Sequence, residues 1–171
     1  VRWYYARQKY LRDYQEYVST SDFILPDVEK IKYYQDKVLS DIDAPSQMNR
    51  QVRILRLLEE QDYKNAYEEN RYFIGTLDPE GHDYAVQTYW QGVICDNLNL
   101  KEESITWWVE SAISDIKGAV KDNASLCSVA VQLVAPEDTE RAFKYIRISL
   151  DDAVYYNAKL RKVQIASTMR W

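Results

Sequence analysis

Glycine and proline are scarce in this chain, with 4 of each among 171 residues, and it holds a single histidine and two cysteines. Sheet proteins of this length need many tight turns, which draw on Gly, Pro, Asn and Asp, so the scarcity argues for few, long, helical elements. Four glycines could scarcely build a phosphate cradle, and no Gly-rich loop, GxSxG or HExxH motif is present. Cys95 and Cys127 stand apart without CxxC or Cys/His spacing, which reads as two buried, unreactive thiols. No run approaches the roughly 18 uninterrupted apolar residues of a membrane span, and no basic-then-apolar leader opens the sequence, which predicts a soluble stretch. The sequence enters at Val1 inside a charged, aromatic helical pattern and stops at Trp171 without a breaker. It reads as a fragment of a longer protein.

What is present suits one packed domain over 1–171, with 46% apolar and 29% charged residues. Charge is uneven. Residues 1–60 carry 10 of each sign, residues 61–120 carry 4 positive against 11 negative, and residues 121–171 carry 8 against 6. A nucleic-acid binder needs a basic stripe, and the one candidate is the short cluster Lys159, Arg161, Lys162 and Arg170, which a solvated helix face explains more simply. Nucleic acid is therefore not an expected partner.

Apolar spacing and cap signals predict helices at about 1–19, 26–42, 46–60, 62–77, 82–98, 100–121, 124–134, 137–149 and 151–170. In Lys101–Lys121, Ile105, Trp108, Val109, Ala112, Ile113, Ile116, Ala119 and Val120 follow the i, i+3, i+4 rule, leaving Glu102, Glu103, Glu110, Asp115 and Lys117 on the solvent side. Asn99 stands ahead as an N-cap with Glu102 three positions on. Pro26 before Asp27, Pro45–Ser46, Asp78–Pro79–Glu80 and Pro136 before Glu137 mark other starts. Two readings of the last stretch stay open: Ser149 with Asp152 caps a fresh helix, or 137–170 is one long helix.

The chain also repeats itself. Gln61–Asp62–Tyr63–Lys64–Asn65–Ala66, Asn99–Leu100–Lys101–Glu102–Glu103–Ser104 and Glu137–Asp138–Thr139–Glu140–Arg141–Ala142 follow one another at intervals of 38 residues. A small residue thus recurs at 66, 104 and 142, as two helices need where their backbones approach most closely. Ser111 and Ser149, each seven residues further on, extend the match. On these residues the sequence resembles the tetratricopeptide repeat (TPR) family. Gln61–Ala66 resembles the family's Gly-Asp-Tyr-x-x-Ala turn. Asn70 holds a usually aromatic position that Trp108 and Ile146 hold in the next units, and Gly92 and Ala130 fall where the family's first helix places a small residue.

That resemblance implies an all-α fold, a right-handed superhelical stack of about 8–9 helices in antiparallel pairs. The pairs lie at about 1–42, 46–77, 82–121 and 124–149, with a C-terminal capping helix at about 151–170. Arg141–Ile165, reading RAFKYIRISLDDAVYYNAKLRKVQI, is also similar to a segment of TPR-bearing regulators of unassigned function in Bacteroidetes. This implies an extracytoplasmic (periplasmic) sensor or scaffold portion, with a membrane helix and a cytoplasmic regulatory part to follow. Without that likeness the expected compartment is cytoplasmic.

Chemistry is thinly represented. His82 sits in the polar Glu80–Asp83 turn, and the acidic pairs Asp41/Asp43, Glu59/Glu60, Glu102/Glu103 and Asp151/Asp152 lack EF-hand spacing. The expectation is no enzyme, no catalytic residue, no metal and no cofactor. Aromatics are abundant instead, 15 Tyr and 5 Trp, and Trp107 or Trp108, Tyr63 and Phe143 are read as core. In the family's register the groove is lined by Met48, Gln51, Val52 and Leu55, then Val86, Tyr89, Trp90, Val93 and Asn97, then Cys127, Ser128 and Val131. Of these, Gln51, Leu55, Val86, Tyr89, Trp90, Val93 and Asn97 are the candidate partner-binding residues. The wall lacks the Lys/Asn pattern of a carboxylate clamp. An apolar groove awaits an amphipathic partner or a cover from its own chain, and Ala153, Tyr156, Leu160 and Val163 form such a seam. The expected function is a protein or peptide interaction module of a larger signalling or transcription-regulatory protein. A glycan- or metabolite-sensing domain is the alternative.

Overall fold

The computed structural model describes residues 2–18, 28–40, 47–120, 124–133, 136–158, 161–162 and 165–166. Among them the chain is all-α: α1 (Arg2–Val18), α2 (Val28–Leu39), α3 (Gln47–Glu59), α4 (Tyr63–Ile74), α5 (His82–Asn97), α6 (Lys101–Lys117), α7 (Ala124–Gln132) and α8 (Thr139–Tyr155), with one 3-10 turn at Pro136–Asp138. The caps expected at Pro26–Asp27 and Pro45–Ser46, the seam residues Leu160 and Val163, and the basic residues Lys159 and Arg170 lie outside the described residues. The described chain forms two compact units, Val1–Gln61 and Asp62–Trp171.

In the first unit α2 packs on both α1 and α3. Ile31 and Val38 of α2 and Val52, Ile54 and Leu55 of α3 are buried. Arg56 ties α3 to α2, donating to Gln35 Oε1 (3.2 Å), Asp36 Oδ1 (2.7 Å) and the Lys32 carbonyl (3.2 Å). Tyr5 donates its hydroxyl to Gln51, and Arg12 pairs with Glu59 at 3.0 Å. The two contacts join α1 to α3 at nearly constant offset, so these helices run parallel.

In the second unit each helix packs on its neighbour in sequence. Ser111 Oγ donates to the Ala85 carbonyl (2.7 Å) near one end of the α5/α6 pair, and Gly92 faces Trp108 further along, which makes the pair antiparallel. Ala66 and Ser104 are fully buried, as are Ser111 and Ser149 at their own common position. The third unit of the repeat departs. Gln61 and Asn99 close their turns as single left-handed residues (φ 59° and 61°), whereas Glu137 lies in the 3-10 turn and Ala142 is only half-buried.

Several local expectations are corrected. Asn99 caps no helix start: its positive φ ends α5, with Leu100 N–H bonding the Cys95 carbonyl (2.9 Å) and Asn99 N–H the Asp96 carbonyl (3.0 Å). Asp62 is the cap that works, accepting from Asn65 N–H. The helix break is neither at Ser149 nor absent. α8 runs through Ser149, whose side chain faces the interior, and ends where Asn157 turns left-handed (φ 51°), with Ala158 N–H on the Ala153 carbonyl at 2.8 Å. Phe143 is not core but 67% exposed. On α6 the buried face is Ser104, Trp108, Ser111, Ala112, Ser114 and Asp115, while Val109, Ile113 and Ile116 are exposed. The spacing rule selects a stripe by hydrophobicity, but close approach to α5 and α7 selects small residues, and the serines win.

Ala119 also takes a left-handed φ of 52°, one position after Gly118, which stays at −74°. The glycine sits where its freedom is unused. Ala119→Gly is expected to stabilise the chain by about 0.5 kcal/mol, the left-handed penalty of an L residue less the extra chain entropy of glycine. A rise in the urea midpoint with unchanged slope checks it.

Candidate functional site: the α5/α7 face

α5 is buried on two sides. The Gln87 carbonyl and Gln91 meet Asn70 of α4, Ala85 and Gly92 meet Ser111 and Trp108 of α6, and Thr88, Ile94 and Cys95 are buried with them, so Val86, Tyr89, Trp90, Val93 and Asp96 are left at intermediate exposure. Tyr89 and Trp90 meet edge to face with ring centres 5.5 Å apart. Asn97 is exposed and its Nδ2 donates back to the Val93 carbonyl. In the other unit Gln51 holds the Tyr5 hydroxyl and Leu55 is buried in the core.

One cavity of about 330 Å³ opens on this face. Tyr89 and Asp96, two turns apart on α5, form one wall, and Ala124, Cys127, Ser128, Val131 and Gln132 of α7 form the other. Trp108 of α6 stands behind them, and Arg161 and Ile165 come over from the C-terminal segment. Trp108 can stand there because Gly92 has no Cβ: a Cβ at 92 would lie 2.5 Å from both Cδ1 and Nε1 of the indole. The cover is firmly seated. Ile165 is completely buried against Cys127 and Ala153, beside Ile146, Leu150 and Ala158.

The cavity thus brings Tyr89 together with Cys127, Ser128 and Val131, and its described lining does not include Val86, Trp90, Val93 or Asn97. Sequence reasoning missed Asp96, Ala124, Gln132, Arg161 and Ile165. Asp96 follows Tyr89 by seven residues, a helical-face signal that was available. Arg161 gave none, because a basic residue in a basic cluster reads as solvated.

Two walls are fixed by polar contacts. Ser111 Oγ, already donating to the Ala85 carbonyl of α5, lies 2.5 Å from Ser125 Oγ of α7, and all three groups are buried. Behind α5, Asn70 Nδ2 donates to the Gln87 carbonyl (3.0 Å) and to Gln91 Oε1 (2.9 Å). At the far end of α5, Glu103 accepts from the Tyr67 hydroxyl (2.8 Å) and from Trp107 Nε1 (3.2 Å). Burial, reinforced by the hydrogen bond to Glu103, raises the Tyr67 pKa above the ordinary phenol value. Burial also pushes the Cys95 thiol up to about 12, with the Glu103 charge adding to it, so this cysteine is a protonated, poor nucleophile at neutral pH. No group of three His, Cys, Asp or Glu among the described residues could hold a metal ion.

A family model described as the SusR N-terminal TPR domain matches residues 1–167. The chain belongs to that family. No curated protein and no solved structure matches it. The SusR N-terminal TPR match covers both compact units, the left-handed turns at Gln61 and Asn99, and the whole of the α5/α7 face. It makes the chain a TPR-type interaction or sensing module. No helix among the described residues is long and apolar enough to cross a membrane.

Proposed function

We propose that this SusR-type TPR domain is a non-catalytic recognition module of a larger regulator, and that its α5/α7 face receives a helix or extended peptide. The observation that carries the reading is the cover. Ile165 fills the groove side of Cys127 and Ala153, while Arg161 reaches the cavity, so the face already accepts the side chains of a helical segment. A partner helix presenting one aliphatic side chain and a base would compete for the same place. An N-terminal domain of a regulator, followed by a membrane helix and a cytoplasmic part as its likeness implies, would receive that partner outside the cytoplasm.

The experiment compares the parent chain with a Tyr89→Ala, Trp90→Ala double variant in pull-downs from the native host, with helicity checked by circular dichroism. The expected result is loss of the recovered partner with helicity retained. Equal recovery from a folded variant would reject the face.

A second reading rests on the cavity itself. About 330 Å³ is the size of a small-ligand site, and Tyr89 and Trp108 rings stand beside Asp96, Ser128, Gln132 and Arg161. A glycan or cyclic metabolite would suit this mixture of flat apolar and hydrogen-bonding groups. Thermal-shift measurement against such compounds tests it: a ligand at 100 times its dissociation constant stabilises by about 2.7 kcal/mol, and no shift at millimolar concentration counts against it.

A further inference from the structure

The exposed stripe of α6 is self-complementary, and we propose that it pairs two copies of this chain, α6 against α6 in antiparallel register. Val109, Ile113 and Ile116 are 38%, 42% and 63% exposed and follow one another at i, i+4 and i+7, a continuous apolar line that no other described helix covers. Scattered exposed apolar residues are ordinary, but an aligned series marks a contact surface.

The charges beside the stripe choose the occupant. At 100° per residue, Glu110 and Lys117 lie about 60° and 40° from Ile113 on one side, while Val109 and Ile116 lie about 40° and 60° away on the other. With a rise of 1.5 Å per residue, Glu110 is about 4.5 Å before Ile113 along the axis and Lys117 about 6 Å after it. A two-fold axis crossing α6 at Ile113 keeps each flank on its own side and reverses the helix. Glu110 then meets Lys117 of the second copy, twice, and Val109 meets Ile116, twice. In a parallel pair the two-fold axis runs along the helix and sets the charged flank against the apolar one. Only the antiparallel arrangement satisfies both. Glu110 and Lys117 are exposed, and Glu110 is held in place by the Tyr84 hydroxyl at 3.2 Å. The patch is small, so the dimer is weak and concentration-dependent.

Sedimentation equilibrium over a concentration series tests the pairing. The parent chain is expected to rise from 20.2 kDa toward twice that mass as concentration approaches the millimolar range. Glu110→Lys alone and Lys117→Glu alone should each weaken association at least tenfold, and the two reversals together should restore it, because the pair is re-formed with signs exchanged. Ile113→Glu should abolish it while circular dichroism stays unchanged. A parent mass that stays at one chain throughout overturns the proposal, and so does a double reversal no tighter than the single ones. The α5/α7 reading is untouched by either result, since its pull-down does not depend on α6.

Discussion

Gly92→Ala is expected to destabilise the second unit by about 2–3 kcal/mol. In most helices the same change would help, by roughly 1 kcal/mol, because alanine loses less backbone entropy. Here the added methyl meets Cδ1 and Nε1 of Trp108 at 2.5 Å and Cγ at 2.9 Å. The indole is 5% exposed and packed, so it cannot yield without disturbing α7 and the cavity, and overpacking of this kind costs about 1–3 kcal/mol, sometimes more. Gly75→Ala is the control. Its Cβ would find nothing nearer than the Tyr72 carbonyl at 3.5 Å, and φ is −63°, so it should be neutral or gain up to about 1 kcal/mol. Urea unfolding followed by circular dichroism separates the two. A Gly92→Ala midpoint at or above that of the parent would mean the Trp108 contact is not tight.

Asn70→Asp is expected to cost more, about 3–5 kcal/mol at neutral pH. Asn70 is fully buried and uses its Nδ2 to donate to two oxygens, the Gln87 carbonyl and Gln91 Oε1. A carboxylate would turn that donor into a third acceptor and bury its charge unpaired. The pH dependence fixes the cause. Desolvation and the facing oxygens raise the new carboxyl's pKa above its unfolded value of about 3.9, so its neutral form is the one the fold tolerates. The deficit is smallest below about pH 4, where the carboxyl is neutral in both states, and grows as pH rises toward the folded pKa. A deficit relative to the parent that does not change between pH 4 and 7 would show that charge is not responsible.

These two positions also show how far the sequence could be read. Gly92 and Trp108 were each recognisable from the repeat, one as the small residue of a first helix and the other as the large residue of the second. The 38-residue interval carried the helix pairs, because backbone approach needs small side chains at fixed places and Ala66 and Ser104 supply them. Asn70 was visible as a departure from an aromatic position, but its partners were not, since a donor's acceptors belong to another helix. The face of α6 was misjudged for a related reason. Hydropathy ranks isoleucine above serine, whereas three helices meeting at Ser111 leave room only for the smaller group. The end of α8 was misplaced because Asn157 signals a left-handed terminus only once the chain around it is known to be helical.

At the candidate site, the first-helix residues Tyr89, Cys127, Ser128 and Val131 could be named from register alone. Arg161 and Ile165 could not, because their positions depend on how the chain folds back after Asn157, which no periodicity encodes.

The bridge from the Ala85 carbonyl through Ser111 to Ser125 fastens α5 to α7 across α6. Spreading those walls would strand buried hydroxyls, at about 1–3 kcal/mol for each group left without a partner. The chamber therefore has a set span, closed over by a side chain, Ile165, that is itself wholly buried. A guest that took the places of Arg161 and Ile165 would leave the sides where they are, so its arrival would be felt first in the stretch that carries those two residues.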